Sequence, residues 1–261
     1  MKPRGFLLFD IDGVIRDVAN SYRRAIQETV NQFCNCSPSV EEIDNLKAEG
    51  IWNNDWDASL ELIRRNIKTL RLSIPLPNRK ELIKVFDHYY FGGNPNGCSQ
   101  EWSGFINNEP LIVNEEFFQL LKEKGFLWGF VSGAEPSSAK FVLETRLQLK
   151  NAPLIAMGDA PDKPDPSGLL KLARQLSRSS LGSGIPPVVY LGDTVADVLT
   201  IKRAREECPT QKFFSYAVSP PHLHEKSRKK ERLIYESKLK NAGADKILSS
   251  TCEVINEVLS W

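Results

Sequence analysis

Apolar residues fall along this chain in two rhythms. Short runs rich in Phe, Leu, Val and Ile, bounded by Gly, Pro, Ser or Asp, occupy Phe6–Asp10, Leu127–Ser132, Leu154–Met157, Val188–Leu191, Phe213–Val218 and Lys246–Leu248. Their length and their β-branched or aromatic content predict strands. Between the later runs the apolar spacing changes to that of a helix face. Helix starts are marked by Asn114 before EEFFQLLKEKG, Pro136 after Glu135, Pro166 before SGLLKLARQL and Thr194 before VADVLTIKRA. Strands alternating with helices predict an α/β fold in which a doubly wound parallel sheet is covered on both faces.

The first two strands are separated by about a hundred residues, Asp17 to about Pro110, with no convincing strand and several amphipathic stretches. Ala25, Ile26, Thr29, Val30 and Phe33 share one helical face; Leu60, Ile63 and Ile67 share another; Leu82, Val85, Phe86 and Tyr89 share a third. Ser39 and Glu42 have capping-box spacing. A crossover helix needs far fewer residues, so the pattern predicts a core domain over 1–16 and 111–261 carrying an all-helical domain over 17–110. Near the C-terminus, HLHEKSRKKERLIYESKLKNAG (222–243) is basic. It reads as a solvated helix with Leu233, Ile234 and Leu239 toward the core, rather than as a nucleic-acid or acidic-partner patch. His88, His222 and His224 are expected at the surface, away from the chemistry.

Charge narrows the choice of partner. Lys and Arg number 34 against 33 Asp and Glu, a formal net charge of +1, so no strong field would gather nucleic acid or an anionic membrane. No apolar run approaches the roughly 20 residues that cross a bilayer. Asp10 and Asp12 also interrupt the apolar run that a secretion signal would need to extend. Five cysteines, Cys34, Cys36, Cys98, Cys208 and Cys252, include no C-x-x-C pair, which fits reduced thiols in a cytoplasmic protein. The expected ligand is a small molecule, and the chain a monomer or homodimer.

In open parallel sheets, ligands bind beyond the carboxyl ends of the strands. Strand one ends in Asp10-Ile11-Asp12-Gly13, where extended-chain alternation would point Asp10 and Asp12 the same way. Strand two ends in Ser132-Gly133, Lys163-Pro164 follows strand three, and strand four ends in Gly192-Asp193-Thr194 with Asp197 one helical turn on. Each residue alone has a plain reading as a turn, a cap or a solvated charge. Together they would leave four carboxylates on one edge with only Lys163 to compensate them. Such a cluster calls for a divalent cation, and an all-oxygen donor set directed at a phosphate suits Mg²⁺.

In that order and after those strands, Asp10-Ile-Asp12-Gly-Val-Ile, Ser132-Gly, Lys163-Pro and Gly-Asp193-x-x-x-Asp197 resemble the four motifs of the haloacid dehalogenase superfamily. The helical insertion after the first motif is similar to the C1 cap of its subfamily IA. The resemblance covers nearly the whole chain and implies a Rossmann-like core with a helical cap. It also implies a Mg²⁺-dependent phosphatase that hydrolyses a small phosphorylated metabolite through an aspartyl-phosphate. On this reading Asp10 is the nucleophile, Asp12 the general acid and base, and Lys163 neutralises charge on Asp10 and the transferring group. Ser132 and Gly133 hold phosphate oxygens. The metal set is Asp10, the Asp12 carbonyl, Asp193 and Asp197, the last holding either a metal-bound water or Lys163.

Within the superfamily, dehalogenases lack an acid two places after the nucleophile, so Asp12 argues for phosphoryl chemistry. No counterpart of the cap lysine of phosphonate-cleaving members is identifiable. Substrate choice is expected in the cap, where Gly50 is followed by Trp52-Asn53-Asn54-Asp55-Trp56-Asp57. Trp52 and Asn54 are candidate substrate contacts, with cap packing as the alternative for Trp52 and Trp56. Arg16, at a hinge position more often uncharged in relatives, is expected to meet a second anionic group on the substrate. Arg23 and Arg24 could join it, although Arg24 also has the spacing to pair with Glu28. A β-phosphoglucomutase-like phosphomutase is the rival reading. It is disfavoured because Tyr22 stands where those relatives carry a histidine. A non-catalytic phosphate-binding module is disfavoured because no motif residue is missing.

Overall fold

The structure, a computed structural model, describes residues 2–49, 52 and 54–259. The chain separates into two compact units, Met1–Asp17 with Pro110–Trp261, and Val18–Glu109. The first unit holds six strands, β1 (Gly5–Phe9), β2 (Phe126–Val131), β3 (Leu154–Ile155), β4 (Val188–Gly192), β5 (Phe213–Val218) and β6 (Lys246–Leu248), in the order β3-β2-β1-β4-β5-β6. Every neighbouring pair is parallel. β1 and β4 read as unbroken apolar runs because both of their faces are covered, and every residue of each is buried. Phe6 and Leu8 pack with Leu169, Leu172, Tyr190 and Ile201 in the core between sheet and helices.

β3 is shorter than its apolar run predicts. After Ile155 the main chain turns out of the sheet: the Ala156 N–H donates to the Asp159 carboxylate (2.9 Å) and the Met157 N–H to the Ala134 carbonyl (3.1 Å). The crossover helices begin at the anticipated signals. Asn114 and Glu135 accept from the third residue after them, Phe117 and Ser138, and Thr194 and Asp197 form a reciprocal capping box.

In the second unit, four helices follow in sequence, α1 (Tyr22–Cys34), α2 (Val40–Ala48), α3 (Asp55–Leu70) and α4 (Arg79–Tyr90). Ser39 and Glu42 exchange both capping bonds. The buried face of α4 runs Leu82, Phe86, Tyr90, so the four-residue step continues to Tyr90 and not to Tyr89. Tyr90 is pinned there by Tyr22, whose ring stacks on it at 4.5 Å, and by its hydroxyl, which donates to buried Glu109 (3.1 Å).

The basic segment forms a helix over Lys229–Ala242, and one expectation for it is corrected. Leu239 is buried against Val198 and Ala217, but Leu233 and Ile234 are 56% and 60% exposed. Tyr235 and Ala242 occupy the core-facing side in their place. The helix is otherwise solvated, with Arg228–Glu231 and Arg232–Glu236 paired along it. No helix among the described residues is long and apolar enough to cross a membrane.

Candidate active site

The strand order 3-2-1-4-5-6 places the topological switch at β1 and β4, where neighbouring connections leave in opposite directions and open a crevice. Asp10 directly follows β1 and Asp193 directly follows β4. Asp197 rises from the first turn of the next helix, Val195–Glu207. One oxygen from each of these three buried carboxylates lies within 4.8 Å of the others.

Two glycines make the approach possible. Gly13 sits at φ +75°, and a Cβ there would come 2.1 Å from the Asp193 Oδ2. A Cβ on Gly192 would strike Asp197 at 2.3 Å. Any side chain at either position would push a carboxylate out of the cluster.

Lys163 supplies the compensating charge. Its ammonium donates to Asp10 Oδ2 (2.7 Å), Asp197 Oδ1 (2.6 Å) and the Tyr190 hydroxyl (3.2 Å), so all three protons are committed. Burial alone would lower its pKa, yet the facing Asp10 and Asp197 carboxylates hold it well above the ordinary lysine value. Burial likewise works to raise Asp197, but Lys163 and two bonds from Thr194 outweigh it and leave the group below the usual carboxylate range. With Lys163 and Thr194 donating to it and the Tyr190 hydroxyl 3.0 Å away, Asp197 acts here as the anchor of Lys163. Asp10 is pushed up to about 6 by burial, with Asp197 and Asp12 adding to the rise and Lys163 opposing it. Asp193 is also raised well above its ordinary value, by burial and then by the Asp197 and Asp10 charges, with Lys163 opposing.

Asp193 is the member whose carboxylate has no direct partner among the described residues, although the Lys163 charge acts on it from a distance. It is 8% exposed, and its carboxylate has no hydrogen-bond donor among the described residues; only its main-chain carbonyl is engaged, by the Tyr235 hydroxyl at 2.9 Å. A buried carboxylate without a donor, beside two others, is a poor arrangement for a protein alone and a good one for a hard cation. The donor set fits Mg²⁺.

Ser132 and Gly133 follow β2 on the same edge. Ser132 is buried, its hydroxyl accepting from the Ala134 N–H (3.2 Å), while Gly133 faces open space, since a Cβ there would meet nothing within 4 Å. A small cavity of about 20 Å³ lies between Ser132, Gly133 and Lys163, room for one water-sized group.

Three expected placements change. Asp12 does not stand beside Asp10 on an extended strand. β1 ends at Phe9, and the Ile11 carbonyl accepts from the Val14, Ile15 and Arg16 N–H groups, closing a tight turn. Asp12 lies outside the carboxylate trio, its Oδ1 held by Arg16 at 2.7 Å. Arg16 is therefore not offered to a substrate anion: it is fully buried, bound to Asp12 and to the Ser138 hydroxyl. Arg24 stacks over the Phe105 ring at 4.4 Å instead of pairing with Glu28.

In the helical unit, Asn54 spends its carbonyl oxygen as the N-cap of α3, accepting from Trp56 and Asp57, and the Trp52 indole donates to Glu49. Both are thereby tied into the helical unit's own structure. Asn53 and Gly50 lie outside the described residues. His224 is less remote than its sequence position implies, lining a cavity of about 190 Å³ together with Gly13 and Thr251.

Sequence reasoning missed Tyr190. It looks like one more apolar strand residue, yet its buried hydroxyl donates to the Val131 carbonyl (2.7 Å), lies 3.0 Å from Asp197 Oδ1 and receives Lys163. Tyr190→Phe should strand one Lys163 proton and the Val131 carbonyl. The expected result is a loss of about 1–3 kcal/mol in denaturant unfolding, with kcat lowered several-fold and KM unchanged. Unaltered stability and unaltered kcat would show that the hydroxyl is not needed to hold Lys163.

Sequence comparison then decides the family. The haloacid dehalogenase-like hydrolase profile matches residues 6–205. The chain belongs to this family. Among solved structures it is similar to a β-phosphoglucomutase-type protein from Thermotoga maritima, at 17% identity and TM-score 0.64 over 100% of this chain and 99% of that one. It is also similar to a phosphoglycolate phosphatase-type protein from Haemophilus somnus, at 13% identity and TM-score 0.66 over 97% and 96%. At these identities the likeness establishes the fold. An imidazoleglycerol-phosphate dehydratase from Phytophthora nicotianae is 28% identical over 229 residues, 87% of this chain. The chain spans only 46% of that protein's length.

Proposed function

We propose that this hydrolase is a Mg²⁺-dependent phosphatase acting on a small phosphomonoester through an aspartyl-phosphate. The observation that carries the reading is the donorless Asp193 carboxylate beside Asp10, with Lys163 bonded to Asp10 Oδ2. Asp10, Asp193 and the Asp12 carbonyl are the groups that would hold the metal, with Asp197 holding Lys163. Bound there, Mg²⁺ supplies positive charge against the phosphoryl oxygens and the carboxylates.

An Asp10 oxygen attacks phosphorus in line as the bond to the leaving oxygen breaks, and Asp12 gives that oxygen its proton. Water then attacks phosphorus of the acyl phosphate and passes a proton to Asp12, and Asp10 leaves as a carboxylate. Lys163 offsets the charge on Asp10 in both steps. Ser132 and Gly133 orient the non-bridging oxygens, and positioning and charge neutralisation of this kind carry most of phosphoryl-transfer catalysis.

A screen of phosphomonoesters with Mg²⁺, read as released inorganic phosphate, tests this; no release from any member would overturn it. The panel should include imidazole-bearing phosphomonoesters. The Phytophthora relative is named for a dehydratase of one, and this chain's likeness covers less than half of that protein.

The phosphomutase alternative requires that water be kept from the acyl phosphate. In this chain the first residue of α1 is Tyr22, stacked on Tyr90. A phenol with an ordinary pKa near 10 cannot serve as a neutral-pH acid–base gate in place of histidine. With β-glucose 1-phosphate and a trace of the bisphosphate, inorganic phosphate should form faster than glucose 6-phosphate. The opposite order would establish the mutase.

A further inference from the structure

Arg16 is the largest fully buried side chain among the described residues, and an arginine keeps its charge in any protein environment. A buried guanidinium is costly unless its partners are fixed, so the identity of those partners is informative. Nε donates to Asp12 Oδ1 at 2.7 Å, and a terminal nitrogen donates to the Ser138 hydroxyl at 2.8 Å. Ser138 is itself 0% exposed and held by its N–H on the Glu135 carboxylate at 3.0 Å.

The main chain of Arg16 is equally constrained. Its carbonyl accepts from the Gly13 N–H (2.9 Å), its N–H donates to the Ile11 carbonyl (3.1 Å), and it bridges antiparallel to Leu111. Both ends of the side chain are thus anchored within the core unit, on the loop that carries Asp12 and on the helix that begins at Pro136. Asp12, by contrast, is 28% exposed, and Arg16 is the side chain that holds its carboxylate among the described residues.

We infer that Arg16 is a positioning residue for Asp12. It fixes one carboxylate oxygen so that the other is presented to the leaving group and to water, and it makes no contact with the substrate itself. The inference rests on the acid–base role proposed for Asp12. A pinned carboxylate needs no reorientation in the transition state, and misplacement by about 1 Å can cost about 100-fold in rate.

A double-mutant cycle tests it on the Mg²⁺-loaded enzyme. Arg16→Met keeps length and apolar bulk while removing the contact. For an alkyl phosphomonoester, kcat should fall about 100-fold with KM within a few-fold. For p-nitrophenyl phosphate, whose leaving group needs little protonation, the fall should be far smaller. In an Asp12→Asn background, Arg16→Met should add less than about twofold. Arg16→Lys, able to reach Asp12 but not to hold Ser138 as well, should recover part of the loss, and Ser138→Ala should produce a weaker version of it.

A purely structural Arg16 would lower turnover by the same factor on both substrates and in both backgrounds, and that result overturns the inference while leaving the role of Asp12 intact. Full turnover by Asp12→Asn alone would instead remove the acid–base assignment, and the inference with it. Should Arg16→Met not fold, Arg16→Lys and Ser138→Ala carried through the same cycle decide between these outcomes.

Discussion

Asp10→Asn should reduce turnover by a factor on the order of 10⁴ or more, with no labelled phosphoenzyme trapped in rapid quench. The substitution keeps the shape of the side chain and removes only the oxygen that would attack. An amide oxygen in its place is a weak nucleophile and cannot form a stable acyl phosphate. Loss of fold is not the expected cause. Asp10 is pushed up to about 6 by burial, with the Asp197 and Asp12 charges adding to the rise, so neutralising it relieves repulsion in the metal-free protein. The cost is its bond with Lys163, which keeps Asp197 and Tyr190 as partners. The melting temperature without metal should therefore hold or rise while activity disappears. Near-normal turnover by Asp10→Asn would place the nucleophile elsewhere.

How far such chemistry can be read from sequence depends on what fixes each residue. That Asp10, Ser132, Lys163 and Asp193 come together at one edge was legible because strand ends in a parallel sheet share that edge, and six apolar runs were enough to locate those ends. The helix caps were legible for a similar reason: Asn114, Glu135 and Thr194 act through bonds three residues away.

What was not legible depends on contacts between residues distant in the chain. Tyr190 is a strand residue by every local measure, and only the arrival of Lys163 and Asp197 at its hydroxyl makes it part of the site. Arg16, as a charged residue at a hinge position, suggested an anion contact. Its burial follows from a tight turn at Ile11–Arg16 that swings Asp12 off the strand axis, and from a serine 122 residues away that accepts its second bond. Leu233 and Ile234 were misplaced because a basic helix with several apolar residues has two plausible faces. Tyr235 and Leu239 settle which one packs.

Removing the metal should abolish hydrolysis, and its return should also stabilise the fold in a pH-dependent way. Asp10 and Asp193 both have folded-state pKa values raised above the ordinary 3.8, Asp10 to about 6 and Asp193 well above the usual carboxylate range. A carboxyl group raised on folding binds a proton more tightly in the native than in the unfolded chain. Its contribution is complete below about pH 3.8 and is lost as pH rises through the folded value. Asp197 works in the opposite sense: its value is lowered, so its contribution is present above 3.8 and fades in acid. The contribution of this cluster to the metal-free protein should accordingly fall as pH rises from about 4 through about 6, where Asp10 ionises, and fall further as Asp193 ionises.

Bound Mg²⁺ would oppose that loss by compensating the charges that appear. At a hundredfold excess over its dissociation constant it should add about 2.7 kcal/mol, or about 5–10 °C in melting temperature for a chain of this size. The gain should be clearly smaller at pH 5.5 than at pH 8, because at the lower pH the metal must first displace protons from Asp10 and Asp193. Thermal melts in chelator and in Mg²⁺ at the two pH values, alongside phosphate release under the same four conditions, provide the check. An equal gain at both pH values would show that the metal does not bind at the raised carboxyls, and full turnover in chelator would show that hydrolysis does not need it. Asp193→Asn separates the two effects. It removes the carboxylate that has no other partner, so the chelated protein should gain stability at pH 8 and the response to Mg²⁺ should shrink, with turnover falling even when the metal is abundant.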